Sequence, residues 1–148
     1  MLARLLTGAS IAWLALLVVT AGLMPDSALA QATFRFASFI CHQQPDRSFE
    51  WATAQWAVCA RCLGLYGAAP AGAFAALISG ALPVAGSRNF LLLCIAAVPT
   101  FATWVGEHAL GWPMTNLARF AAALPLGAAI AFVIVRTVQY TLPDARRG

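Results

Sequence analysis

Four long apolar stretches separated by polar intervals dominate the 148-residue chain, at about residues 5–24, 63–82, 90–110 and 117–138. A helix needs about 20 apolar residues to cross the hydrocarbon of a bilayer, and each stretch meets or nearly meets that length. The pattern predicts an all-α membrane protein, a small bundle of four transmembrane helices forming one domain over residues 1–148. Residues 25–62 make the one extended polar interval, a loop between the first two spans. Its early part, Ala28 to Ile40, sets Leu29, Phe34, Phe36, Phe39 and Ile40 around Arg35, which predicts a short helix lying at the membrane surface.

The first stretch has a second reading. Arg4, an apolar core, Pro25 and then Ala28-Leu29-Ala30 before Gln31 also describe a cleavable signal peptide, which leaves three spans. The apolar core is longer than the roughly 7 to 15 residues of such peptides, so the retained helix is the expected form.

Composition agrees with the hydropathy pattern. The chain is 61% hydrophobic and 9% charged, where soluble domains carry about a quarter charged residues. Its basic residues are all arginine, and no basic run develops, so the expected partner is the lipid bilayer and not nucleic acid. With the N-terminus inside and four spans, Arg4, Arg88, Arg136, Arg146 and Arg147 fall inside, and Arg35, Arg47, Arg61 and Arg119 outside. That small bias predicts both termini inside and the polar loop outside. Trp51, Trp56, Trp104 and Trp112 suit the headgroup layer, where an indole is half wet.

Small residues predict how the spans pack. Gly64, Ala68, Gly72, Ala76 and Gly80 recur at every fourth position of the second span, and Ala123, Gly127 and Ala131 repeat the spacing in the fourth. Such stripes let helix backbones approach closely in lipid. The expectation is a compact bundle with the second span central, or a homo-oligomer through the Gly64/Ala68/Gly72/Ala76/Gly80 face. Pro70, Pro99 and Pro125 lie inside spans, and each frees a carbonyl that needs a partner in lipid.

Chemistry concentrates in the polar loop. Cys59-Ala60-Arg61-Cys62 is a C-x-x-C motif, and Cys41-His42 lies 18 residues upstream of Cys59. Three thiolates and one imidazole make a four-coordinate site suited to zinc. The predicted ligands are Cys41, Cys59, Cys62 and His108, or His42 as the histidine. His108 is favoured because four spans bring the end of the third helix to the same face, whereas His42 adjoins Cys41 too closely for easy shared ligation. The same spacing serves a thiol-disulfide oxidoreductase using Cys59 and Cys62 with Cys41 as partner, or an inert staple. Arg47, Arg61 and Arg119 are expected on that face and could contact an anion or lipid headgroup; simple pairing of Arg47 with Asp46 or Glu50 is the plainer alternative. Cys94 reads as a small core residue and Tyr66 as an ordering residue one turn inside the second span. No Walker loop, H-E-x-x-H or nucleophile elbow occurs, and a small transporter or lipid-binding scaffold completes the set of alternatives.

The run Cys41-His42-Gln43, Pro45-Asp46-Arg47-Ser48-Phe49 and Val58-Cys59-Ala60-Arg61-Cys62-Leu63-Gly64-Leu65-Tyr66-Gly67 resembles the family of domain of unknown function 2085, small integral membrane proteins of prokaryotes. Asn116, Arg119 and Gly127 are similar to that family's residues at its last helix. An aspartate-glycine step expected near the end of the third helix appears here as Val105-Gly106-Glu107. The resemblance implies a multi-pass protein of a prokaryotic inner (plasma) membrane with a thiol-rich loop, and it implies no activity.

Overall fold

The computed structural model describes residues 1–51, 54–79 and 86–144. Four helices in it are long and apolar enough to cross a membrane. They are α1 (Leu2–Gly22), α3 (Ala60–Ile78), α4 (Gly86–Ala109) and α5 (Asn116–Asp144), and each lies within a few residues of its predicted span. Gly80 and the end of the predicted second span, at Leu82, lie outside the described residues, as do Arg146 and Arg147 of the orientation tally. The surface helix is present as α2 (Ala28–Ala37), where the Ser27 side chain accepts from the Ala30 N–H and so caps the first turn.

The predicted loop contains more than a loop. A 3₁₀ turn at Pro45–Arg47 leads into an antiparallel hairpin of β1 (Ser48–Trp51) and β2 (Ala54–Cys59). Phe49 and Trp51, and Trp56 and Val58, alternate with smaller or polar residues as strands do, over only two short runs, while Ser48, Ala57 and Val58 are the residues buried. Val58 is fully buried, and the register sets Ser48 opposite Cys59.

The small-residue stripes meet each other inside one chain. A side-chain carbon on Gly64 would run into the Phe120 carbonyl oxygen, on Gly72 into that of Ala128, and on Gly127 into that of Leu65. Glycine at these points lets α3 and α5 approach to backbone contact, the source of cohesion available where lipid is as apolar as the helices themselves. Gly64 and Gly72 thus turn their part of the stripe onto α5 of the same molecule. Helix α1 closes against α3 through Leu17 and Trp13, whose ring meets Tyr66 and Phe36 edge to face.

A side-chain hydrogen bond ties the proline-bearing helices α4 and α5 together. Thr100 Oγ1, next to Pro99, donates to the Ala122 carbonyl three residues before Pro125, at 2.8 Å. Pro99 and Pro125 also line a groove of about 720 Å³ between α3, α4 and α5. Every residue lining it is apolar. Cys94 is exposed on α4, not in the core as its apolar surroundings in sequence suggest.

Candidate metal and anion site at one membrane face

The end of α1, the start of α3, the end of α4 and the start of α5 meet at one face together with the hairpin. Asn116 Nδ2, on the first residue of α5, donates to the Ser48 carbonyl of β1 at 2.8 Å, and Arg61 of α3 reaches Glu107 of α4 at 2.8 Å. Four spans in up-and-down order place all these ends together, as the sequence leads one to expect.

The hairpin and one strained turn deliver the thiols. Cys59 ends β2 and is also the N-cap of α3, so Cys62 follows on the first turn of the helix. Cys41 is placed by the short turn after α2, where Gln43 adopts a φ of 50°. A left-handed backbone costs a residue with a side chain about 1–2 kcal/mol. The Gln43 side chain offsets that cost by donating to the carbonyls of Phe34 at 2.7 Å and Ala57 at 2.8 Å. Turn, surface helix and strand are thereby locked around Cys41.

The result brings Cys41, Cys59 and Cys62 together, with their three sulfurs within 4.8 Å of one another. Cys41 Sγ is buried and accepts the backbone N–H of Cys59 at 3.1 Å and of Gln43 at 3.5 Å. The Cys59 thiol is drawn from the usual thiol range down to about 5, first by the Cys62 thiol donating toward it and further by nearby backbone N–H groups, against the opposing effect of burial. Its place at a helix N-terminus acts in the same direction.

Neither histidine stands among the sulfurs. The His108 ring stacks on Trp104 with centroids 4.9 Å apart, its Nδ1 lies 3.0 Å from the Trp104 carbonyl oxygen, and its Nε2 lies 3.5 Å from Arg47 Nη1. Both nitrogens are therefore engaged away from the thiols. His42 is exposed and lines the same cavity as the three cysteines.

Arg47, Arg61 and Arg119 do converge, and the group they converge on is Glu107. Arg119 Nη2 is 2.8 Å from Glu107 Oε1, Arg61 Nη2 is 2.8 Å from Oε2, and Arg47 Nη2 is 3.3 Å from Oε1. Glu107 keeps only 10% of its side chain exposed. Arg119 also donates Nη1 to Asn116 Oδ1 at 2.6 Å and Nε to Glu107 Oε2 at 3.4 Å, so all three of its nitrogens are spent on the frame. Arg47 also meets Asp46 at 3.7 Å, the plainer pairing, in addition to the cluster.

Sequence reasoning leaves Glu107 without a role, and the structure makes it the hub. A signal was available: Glu107 is the only acid between Glu50 and Asp144, on a face where three arginines are expected. Gln43 was likewise legible only as a neighbour of Cys41-His42, since no pattern announces a left-handed turn at glutamine. Beside Glu107, Gly106 admits the Trp112 and Met114 side chains against α4, and Gly111, at φ 65°, turns the chain so that the Trp112 N–H returns to the Gly106 carbonyl at 2.9 Å.

A polytopic helical membrane protein with a cluster of three cysteines and an arginine-clamped carboxylate at one face is the class these features define. Residues 41–133 match the DUF2085 family, whose description is a predicted membrane protein, and the chain belongs to that family. It is also similar to an uncharacterised protein of Methanothermobacter thermautotrophicus (strain Delta H), 30% identical over 106 residues, covering 70% of this chain and 91% of that one. No solved structure matches it. The matched region begins at Cys41 and so contains the thiols, all three arginines and Glu107.

Proposed function

We propose that the protein holds a transition metal ion, zinc first, on Cys41, Cys59 and Cys62 at the membrane face, with the fourth coordination position open to the adjoining cavity. The supporting observation is the convergence of three sulfurs within 4.8 Å around a buried, N–H-bonded Cys41. Zinc–sulfur bonds of about 2.3 Å set tetrahedral ligands about 3.8 Å apart, so an ion needs to draw the three sulfurs in by about an ångström at most. Soft thiolate ligands select zinc, copper(I) or iron–sulfur chemistry over magnesium or calcium. His42 and solvent are at hand for the fourth position, and His108 is not.

Elemental analysis of the purified full-length protein in detergent tests this reading. The wild type is expected to carry about one metal ion per chain. Cys41→Ser, Cys59→Ser and Cys62→Ser should each fall to background, and His108→Ala should retain the wild-type content. A metal-free wild type with freely reactive thiols contradicts the proposal. In the same reading the site faces outward from a prokaryotic plasma membrane. After chelation, a membrane-impermeant maleimide added to intact cells should then label the freed thiols; labelling confined to inverted vesicles reverses the orientation.

One observation favours a second reading, membrane thiol-disulfide exchange. Cys59 caps α3 with Cys62 one turn on, the placement of a dithiol at a helix N-terminus. In that scheme the Cys59 thiolate attacks a substrate disulfide, and Cys62 displaces the mixed disulfide. The substrate leaves as a dithiol and Cys59–Cys62 is oxidised. A metal-free protein with a reducible Cys59–Cys62 bond supports this scheme.

A further inference from the structure

The arginine cluster has more positive charge than its own acid can balance. Glu107 answers one of the three guanidinium charges, and Asp46, with its side chain 74% exposed and 3.7 Å from Arg47, adds little against solvent screening. Arg47, Arg61 and Arg119 share with Cys41, Cys59 and Cys62 a cavity of about 350 Å³. That volume is at the small end for ligand sites, room for a headgroup-sized molecule and not for a whole lipid.

The three arginines are not equivalent. Arg119 has all its nitrogens committed to Glu107 and Asn116. Arg61 commits Nη2 to Glu107, Arg47 sets Nη2 3.3 Å from Glu107 and Nη1 3.5 Å from His108 Nε2, and the Nε atoms of both are buried without a hydrogen-bond partner. A buried donor left unpaired is costly, so an oxyanion in the cavity that draws these guanidinium groups toward it and pairs their remaining donors is favoured. A carboxylate is already supplied from within by Glu107. The remaining charge and the two incomplete forks match a phosphate group, which brings more charge and more acceptor oxygens than a second carboxylate.

We propose that this cavity binds a phosphate group, held by Arg47 and Arg61, while Glu107 and Arg119 act as positioning residues that aim the two forks. The site stands on the arginines and the cavity and does not depend on the metal. The phosphate can arrive as a free anion or as the headgroup of an anionic lipid, and the two sources separate by experiment.

The test is equilibrium binding of inorganic phosphate to full-length protein in nanodiscs of phosphatidylcholine, for wild type, Arg47→Gln, Arg61→Gln and Arg35→Gln. Arg35 is an exposed control on α2. One saturable site per chain is expected, weakened at least tenfold in Arg47→Gln and Arg61→Gln and unchanged in Arg35→Gln. Arg47→Gln leaves Glu107 paired with Arg61 and Arg119, so its fold should survive, and a melting curve checks this. In discs containing phosphatidylglycerol, unchanged phosphate affinity identifies a free anion as the ligand. Competition, with about one phosphatidylglycerol retained per chain by mass spectrometry, identifies a headgroup. Wild type that neither binds phosphate saturably nor retains anionic lipid overturns the proposal, as does equal binding by folded Arg47→Gln and Arg61→Gln. Cys59→Ser, which should lose metal, is expected to keep the phosphate site, so failure of one reading is visible apart from failure of the other.

Discussion

Glu107→Gln is expected to lower stability more than any other single charge removal, by about 3–5 kcal/mol, the cost of breaking a buried ion pair. The carboxylate is 10% exposed and joins Arg61 at the start of α3, Arg119 on α5 and Arg47 beside the hairpin. Neutralising it leaves three guanidinium groups facing one another with no acid between them. The repulsion falls where four helix ends and the hairpin meet, so the whole face loosens. Heating the variant in detergent and measuring the fraction that remains monodisperse reads this directly. Glu50→Gln, at an exposed position on β1, is the control and should move stability by about 0.5 kcal/mol or less. Equal melting of the two variants would remove Glu107 from its central place.

Gly72→Val should disrupt the bundle itself. A Cβ at Gly72 would overlap the Ala128 backbone, and backbone has no rotamer by which to give way. Helices α3 and α5 must then separate, and overpacking of a well-fitted interface costs about 1–3 kcal/mol, more where the seam cannot relax. Cohesion in lipid comes largely from such close approach, so little else compensates. Gly8→Ala is the matched control, because nothing lies within 4 Å of the carbon it adds. Loss of monodisperse protein in Gly72→Val with Gly8→Ala unchanged is the expected pair of results. Similar behaviour of the two variants would mean that the α3–α5 seam is not what holds the helices.

The spans were legible because lipid demands a long apolar run with satisfied backbone groups, and that demand acts on every residue of a helix. The meeting of the small-residue stripes was legible in kind but not in partner: spacing shows that Gly64 and Gly72 want a backbone against them, and only the fold shows that α5 supplies it. The hairpin at Ser48–Cys59 escaped because two strands of four and six residues carry too short an alternation to stand out from a polar loop. At the site, Cys41, Cys59 and Cys62 were readable from residue type and spacing. The face on which His108 lies was readable, but its stacking on Trp104 and its contact with Arg47 were not, since no spacing in the sequence announces them. Glu107 could be found only by asking what an acid alone among spans would do once three arginines share its face.

The central claim is that a metal ion sits on three sulfurs. X-ray absorption at the zinc edge of the purified protein measures this without reference to activity. The account requires three sulfur neighbours at about 2.3 Å and one oxygen or nitrogen neighbour. A shell of oxygen and nitrogen alone, or no bound metal with Cys59 and Cys62 joined in a disulfide, would contradict it.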